Sequence, residues 1–148
     1  MKKIFFYLTF FVIFIIILAS YFLFTKESNS LEIILPFPLE NEAQSLIPMG
    51  ETIDHSNSMG HPGIDFKWNY SAKIISSAEG KVKTIKKHKG EDNWDVIVRS
   101  GDYIIEYQEL ASYNLSLSEG TVIEKGSFIG HPANYPVGDY RDNYQIHW

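Results

Sequence analysis

The sequence contains no cysteine among its 148 residues. Disulfide bonds and a lipid anchor attached through a cysteine are therefore both excluded. An excess of positive charge is also missing. Of the 13 Lys and Arg residues, Lys2 and Lys3 lie at the extreme N-terminus, so the rest of the chain carries 11 basic residues against 18 acidic ones. This balance argues against general nucleic-acid binding by that part of the chain.

Helical periodicity is a further absence. Beyond Phe24, no segment keeps apolar residues at helical spacing for three turns, and no internal repeat is visible. Short runs of β-prone residues recur instead, between turns that often contain glycine. The predicted strands are 73–77, 81–87, 94–99, 103–110, 121–123, 127–129 and 144–148. This pattern predicts an all-β fold, a small β-sandwich or partly closed barrel of short antiparallel strands.

One long apolar run is present, from Ile4 to Phe24. As a helix it would be about 31 Å long, which is close to the hydrocarbon thickness of a bilayer. The lysines before it predict a cytoplasmic N-terminus and an extracytoplasmic remainder, by the positive-inside rule. A signal peptide cleaved near Ala19 and Ser20 is the alternative. The four apolar residues that follow favour an uncleaved, single-pass transmembrane helix.

The predicted anchor divides the chain into three parts. Residues 1–24 are the cytoplasmic tip and the anchor, residues 25–59 a stalk and lead-in loop, and residues 60–148 the folded domain. Pro36 and Pro38 predict an extended segment within the middle part. Residues 40–59 show no sustained period, so we expect a long loop there.

Candidate metal ligands are concentrated in the stretch GHPGIDF, residues 60–66. It places His61 and Asp65 four positions apart. The Pro62-Gly63 pair between them favours a tight loop that runs into a strand. Such a loop can direct one nitrogen and one oxygen at a single point. Zinc accepts this mixed set, usually from three protein ligands where a position is left open for chemistry.

The best candidate for the third ligand is His147, in the last predicted strand. Strand alternation places Gln145 on the same face as His147, while their neighbours in sequence face the core. Glu109, on another predicted strand, could enter the same pocket on the face that it shares with Tyr107. Two other histidines remain open as substitute ligands, His55 and His131.

The order of motifs from His61 to Trp148 resembles the lysostaphin-like (LytM-type) zinc peptidases, which cut the peptide bridges of peptidoglycan. The family's His-x3-Asp motif is matched by GHPGIDF, and its Ala/Ser-rich strand and turn by IISSAEGKV. Its Tyr-x-His-Leu motif is matched by YQEL, its glycine-spaced segment by GTVIEKGSFIG and its closing His-x-His-Phe motif by QIHW. The resemblance implies the family's duplicated hybrid motif fold, with zinc held by His61, Asp65 and His147.

The departures from the family pattern concern catalysis and the end of the chain. Glu109 and Gln145 occupy the positions of the family's two assisting histidines. An amide cannot accept a proton near neutral pH, and loss of a positioned acid–base group costs about 10²–10⁴-fold in rate. The chain also ends one residue after His147, where the family continues the strand, so we expect a truncated or shortened C-terminal strand.

The resemblance with these departures implies a peptidoglycan-associated pseudoenzyme, and the predicted anchor would make it membrane-bound. It would bind stem or bridge peptides of the wall, or regulate another cell-wall hydrolase or division protein. The alternative is an active zinc endopeptidase in which Glu109 is the general base and Gln145 contacts the oxyanion.

Overall fold

The computed structural model describes residues 11–18, 20, 31–52, 60–137 and 141–148. The chain forms two compact units, Met1–Ser30 and Leu31–Trp148. In the first unit, residues 11–18 are helical, and the rest of the predicted anchor, apart from residue 20, lies outside the described residues. Within the described ranges, no helix is both long enough and apolar enough to cross a membrane. The predicted transmembrane helix therefore stays a prediction.

Where it is described, the second unit is built mainly of strands joined by turns and short loops. Its described part contains a 3-10 helix, Leu39–Asn41, and nine strands. The strands are β1 (Ser45–Ile47), β2 (Asp65–Trp68), β3 (Ile74–Ile75), β4 (Gly80–Lys87), β5 (Trp94–Ser100), β6 (Tyr103–Tyr113), β7 (Val122–Ile123), β8 (Phe128–Asn134) and β9 (Tyr144–His147).

All strand pairs in this unit are antiparallel. The strands form one sheet in the order β1-β2-β9-β8-β6-β5-β4-β7, in which β3 pairs with β8 and β9 also pairs with β6. The predicted antiparallel β fold is therefore confirmed. Among the described strands no pairing joins β1 to β7, so the sheet is open rather than closed into a barrel.

The core lies beneath the centre of this sheet, and strand alternation explains which side chains enter it. In β9, Ile146 is fully buried while Gln145 and His147 are only partly buried, as period-two alternation predicts. The buried apolar side chains include Phe66, Trp68, Val96, Val98, Tyr107, Leu110, Ile129 and Ile146. The sheet therefore presents a packed face to the core, and at β9 its opposite face carries the polar side chains of Gln145 and His147.

The lead-in segment is more ordered than the sequence predicts. The expectation of a long loop over residues 40–59 is wrong at β1, which pairs with β2 so that Leu46 lies opposite Phe66. Residues 53–59 lie outside the described ranges. Three residues are too few for a strand period to be recognised in the sequence. Phe37, just before this segment, packs edge-on against Phe66 and Trp68, with ring centroids 5.1 and 5.4 Å apart.

Candidate metal centre

The loop at His61 and the end of the chain meet because β2 and β9 are neighbours in the sheet. Asp65, the first residue of β2, lies directly opposite His147 in β9. Two backbone hydrogen bonds extend this pairing, from Ile64 N to Trp148 O at 2.7 Å and from Trp148 N to Ile64 O at 2.9 Å. The register therefore fixes the carboxylate and the imidazole side by side.

The three predicted metal ligands converge on one point. Asp65 Oδ1 is 3.1 Å from His61 Nε2 and 2.8 Å from His147 Nδ1. The two ring nitrogens, His61 Nε2 and His147 Nδ1, are 3.0 Å apart. Among the described residues, this trio forms a possible metal-binding group. Ligands bound tetrahedrally to one zinc ion lie about 3.3–3.5 Å apart, so the observed triangle is only slightly contracted.

The chemistry of the donor set fits a cation. The other ring nitrogen of His61, Nδ1, is 3.3 Å from the carbonyl oxygen of Pro48, which can only accept a hydrogen bond. A neutral His61 that donates from Nδ1 presents the lone pair of Nε2 to the trio. Metal-ligating histidines are commonly oriented in this way by a hydrogen bond from the second nitrogen. His147 Nδ1, when it carries no proton, presents a second lone pair to the same point. Two imidazole nitrogens and the Asp65 carboxylate form a donor set that suits zinc.

Exposure to solvent gives the trio a closed side, at His61 and Asp65, and an open side, at His147. His61 is 2% exposed and Asp65 7%, whereas the side chain of His147 is 19% exposed. Burial alone would raise the pKa of Asp65, but the hydrogen bond with His147 and the positive charge that either histidine carries when protonated outweigh it and lower the pKa below 3.8. The same hydrogen bond raises the pKa of His147 above 6.5, against the effect of burial. The greater exposure of the His147 side chain makes it the side from which the trio is accessible.

Gly63 supplies the space that His147 occupies. A Cβ atom at this position would lie 2.6 Å from His147 Nε2 and 2.7 Å from Trp148 O, both closer than real Cβ contacts. The sequence alone predicts only a turn at this glycine. Its close packing against His147 could not be recognised without knowledge of the strand register.

Glu109 and Gln145 lie beside the trio and contact each other. The side-chain nitrogen of Gln145 donates a hydrogen bond to Glu109 Oε2 at 3.0 Å. Burial raises the pKa of Glu109 above 4.5, and the nearby charge of Asp65 adds to this effect, against the hydrogen bond from Gln145. The two residues at the positions where the resemblance implies assisting histidines are therefore paired with each other.

The route by which Glu109 reaches this pocket differs from the prediction. Tyr107 is fully buried, and its hydroxyl oxygen accepts a hydrogen bond from Ser77 N at 2.6 Å in the core. The expectation that Glu109 shares the face of Tyr107 is wrong, because the register of β6 shifts between these residues. Glu109 has a backbone φ of +64°, and it is the only described non-glycine residue with a positive φ. A bulge of this kind leaves no clear signal in the sequence.

The substitute ligands left open by the sequence do not join the trio in the described part of the chain. His131 lies in β8, and its Nδ1 donates to the carbonyl oxygen of Ala72 at 2.8 Å. His55 lies outside the described residues.

The chain is similar to known proteins both in sequence and in fold. The sequence model described as "Peptidase family M23" matches residues 59–139. No curated protein matches the sequence. The structure of Helicobacter pylori Csd3 is similar, with a TM-score of 0.60 and 14% identity over 80% of this chain and 29% of that one. A zinc-containing peptidase from Vibrio cholerae has a TM-score of 0.54 and 17% identity over 76% of this chain and 34% of that one.

At these identities, the solved structures establish a shared fold. This chain spans about a third of the length of each of them. The family match confirms the resemblance to LytM-type peptidases, and it extends over the strand of Asp65 and the bulge of Glu109. Because the matched residues make up more than half of the sequence, the chain belongs to peptidase family M23.

Proposed function

We propose that this chain is a zinc-binding, peptidoglycan-associated domain, held at the outer face of the cell membrane by residues 4–24 and impaired in peptide-bond hydrolysis. Membership of family M23 supports the association with peptidoglycan. The run of apolar residues behind Lys2 and Lys3 supports the anchor and its orientation.

Zinc is the metal favoured by the donor set. Two imidazole nitrogens and one carboxylate oxygen suit zinc better than magnesium or calcium, which prefer oxygen ligands alone. The Vibrio cholerae protein of similar fold is described as a zinc-containing peptidase. His61, Asp65 and His147 would hold the ion. When bound, zinc supplies Lewis-acid chemistry, in which it polarises a carbonyl group and makes water more acidic.

The observation that carries the proposal of impaired catalysis is the hydrogen bond between Gln145 and Glu109. Family members that hydrolyse peptides resemble this chain in the metal trio and have histidines at these two positions. Here one position carries an amide that cannot accept a proton near neutral pH. The other carries a carboxylate that is already engaged by that amide. Neither side chain can therefore do what an imidazole does at such a position, which is both to accept and to donate a proton near neutral pH.

A domain with an intact metal trio but without these imidazoles can still hold a peptide. We infer that it binds stem or bridge peptides of the wall, or brings another wall hydrolase or division protein to them. The exposed edge of His147 is the side from which a peptide would reach the trio.

An active endopeptidase is the second candidate, and one observation favours it. Burial raises the pKa of Glu109, and a carboxylate with a raised pKa is a stronger base toward an attacking water. In this reading Glu109 accepts the proton, and the remaining N–H of the Gln145 amide hydrogen-bonds the developing oxyanion.

One experiment separates the two candidates. Purified peptidoglycan is incubated with the full-length protein in detergent, with zinc or with chelator, and soluble muropeptides and new amino termini are quantified. We expect no zinc-dependent product from the wild type, and zinc-dependent product from the double variant Glu109→His/Gln145→His. Zinc-dependent product from the wild type that His147→Ala abolishes would establish the enzyme instead.

Wall binding is measured in parallel by cosedimentation with insoluble peptidoglycan. We expect the wild type and Glu109→Ala to sediment equally. Absence of binding by the wild type, with zinc present, would contradict the proposed association.

A further inference from the structure

The bulge at Glu109 is built around a single residue of the neighbouring strand. In the register between β5 and β6, Trp94 lies opposite Leu110 and Val96 lies opposite Tyr107. Asp95 therefore faces two residues of β6, and Glu109 is one of them. In a bulge of this kind the extra residue leaves the ladder of backbone hydrogen bonds. Its N–H group then needs another acceptor, because an unsatisfied buried donor is costly.

Asp95 supplies that acceptor. Its Oδ1 accepts a hydrogen bond from Glu109 N at 3.4 Å. The residue is only 3% exposed, although it carries a carboxylate. Asp95 is not a member of the metal trio. Charged side chains are seldom fully buried unless they are paired, so the partners of this carboxylate account for its burial.

His88 orients the Asp95 carboxylate. His88 Nδ1 is 2.7 Å from Asp95 Oδ1, and since a carboxylate oxygen only accepts, the imidazole donates. Lys86 Nζ lies 3.8 Å from the other oxygen, Oδ2. A chain of contacts therefore runs from the β4–β5 hairpin through Asp95 to the backbone of Glu109, and through the Glu109 side chain to Gln145.

The left-handed backbone of Glu109 requires such support. A non-glycine residue at positive φ carries a conformational cost, and it persists when surrounding contacts hold it. The position of β9 shows why this conformation matters for the direction of the Glu109 side chain. Gln108 pairs with His147 of β9, so β6 runs directly beside the trio at the bulge. Regular alternation would direct Glu109 to the face of the fully buried Tyr107, away from Gln145.

We propose that Asp95 is a positioning residue, whose carboxylate, oriented by His88, holds the bulge that directs Glu109 toward Gln145 and the metal trio. This deepens the proposed function, because Glu109 belongs to the same site. The contact between Asp95 and Glu109 involves only atoms of the chain itself, so it can be tested separately from wall binding and cleavage.

The test follows the side-chain amide of Gln145 by NMR. The full-length chain is labelled with ¹⁵N and studied in detergent micelles with chelator, and Glu109→Ala provides the position of the amide signals without the hydrogen bond. We expect Asp95→Ala to move these signals to the Glu109→Ala position. Asp95→Asn should return them to the wild-type position, since its carbonyl oxygen can accept the same hydrogen bond. A merely structural role for Asp95 would not give this rescue at one amide.

Asp92→Ala is the matched control. Asp92 is an exposed carboxylate of the same hairpin, and its side chain pairs with Lys87 rather than with β6. We expect Asp92→Ala to leave the Gln145 signals in place. Wild-type signals in Asp95→Ala would overturn the proposal, and so would an Asp95→Asn variant whose signals match those of Glu109→Ala.

A second variant keeps the proposal testable if Asp95→Ala does not fold. Glycine adopts a positive φ without the cost paid by glutamate, so the bulge in Glu109→Gly needs less support. We expect the double variant Asp95→Ala/Glu109→Gly to fold even where Asp95→Ala alone does not, and, where both fold, Asp95→Ala to lower the melting temperature less in the Glu109→Gly background than in the wild type. Failure of the double variant to fold while Glu109→Gly folds, or equal losses in both backgrounds, would show that Asp95 acts independently of the Glu109 backbone, and the proposal would fail.

Discussion

At the scale of single residues, each imidazole of the trio depends on a neighbour for its position. The carbonyl oxygen of Pro48 lies next to Nδ1 of His61, and Gly63 leaves room for the ring of His147. These neighbours bind no metal themselves. Contacts of this kind typically affect metal affinity by about 10–100-fold, so they can be tested as sharply as the ligands.

Gly63→Ala tests the space beside the third ligand. A methyl group at this position would force His147 away from Asp65, because it would lie 2.6 Å from Nε2. We expect zinc affinity to fall by about 10–100-fold, as measured by competition with a chromophoric chelator. Gly101→Ala is the control, since its φ is +58° and its Cβ would meet nothing within 4 Å. That variant should lose about 1–2 kcal/mol of stability and keep its zinc affinity.

Glu109→Gln tests the burial of the carboxylate. The pKa of Glu109 is raised in the folded chain, so the folded state binds this proton more tightly than the unfolded state does. Stability therefore falls as the pH rises from 4.5 through the raised pKa. Glutamine does not titrate, and its amide oxygen can still accept the hydrogen bond from Gln145. In the presence of chelator, we expect the variant to melt above the wild type at neutral pH.

The difference in melting temperature between Glu109→Gln and wild type should shrink as the pH falls below 4.5. Melting curves collected at a series of pH values provide this measurement. A difference that stays constant with pH would mean that the substitution acts through packing, and that burial of the charge is not the cause.

The three residues of the trio could be named from the sequence, because each of them lies in a local or periodic pattern. His61 and Asp65 lie in one short loop, and His147 alternates with the core residue Ile146. The face of Glu109 could not be predicted, because the bulge depends on Asp95 in another strand. Period-two alternation contains no information about a residue inserted into the ladder.

At the scale of secondary structure elements, β9 connects the metal trio to the core. One face of the strand carries His147 and Gln145, and the other carries Ile146, which is 0% exposed. The strand pairs with β2, β6 and β8, so loss of its packing affects three neighbours. Stability of the domain and geometry of the trio are therefore coupled through this strand.

Ile146→Ala tests this coupling. Removal of a buried isoleucine side chain costs about 2–5 kcal/mol, and here the cavity would lie directly beneath the third ligand. We expect the metal-free protein to lose stability by this amount in chemical denaturation, and zinc affinity to fall with it. Leu115→Ala, at a position that is 86% exposed, should change stability by no more than about 0.5 kcal/mol. Unchanged zinc affinity in Ile146→Ala would show that the geometry of the trio does not depend on core packing, and would contradict the coupling.

The element types were predictable, and their connections less so. β4, β5 and β6 lie close to the predicted runs, because alternation and glycine turns mark them clearly. β1 was missed because three residues are too short to show a period. The pairing of β2 with β9, which creates the site, joins residues from opposite ends of the domain. Local patterns do not specify such a contact; the need for a third metal ligand suggested it, and the motif resemblance supported it.

At the scale of the whole molecule, the proposed zinc site links folding to metal supply. A metal that binds only the folded state raises stability by about 2.7 kcal/mol when its free concentration is 100 times the dissociation constant. We expect zinc to raise the melting temperature of the full-length protein and chelator to lower it. His147→Ala should abolish this zinc effect. His131→Ala should preserve it, because His131 contacts Ala72 instead of the trio.

The predicted anchor is tested by cell fractionation. A variant that lacks residues 2–24 should move from the membrane fraction to the soluble fraction, because no other part of the sequence has a long apolar run. The full-length protein should resist extraction by high salt and alkali and dissolve in detergent. Release of the full-length protein by alkali alone would contradict a membrane-spanning segment.

The backbone at Glu109 has a consequence for how this protein could change over time. Histidine is among the residues that tolerate the left-handed region best, whereas glutamate is not among those enriched there. A histidine at that site would therefore meet an accommodating main chain, with no need to rebuild the strand. If the domain is impaired in hydrolysis as proposed, a single substitution would place an imidazole at this position without any change of scaffold.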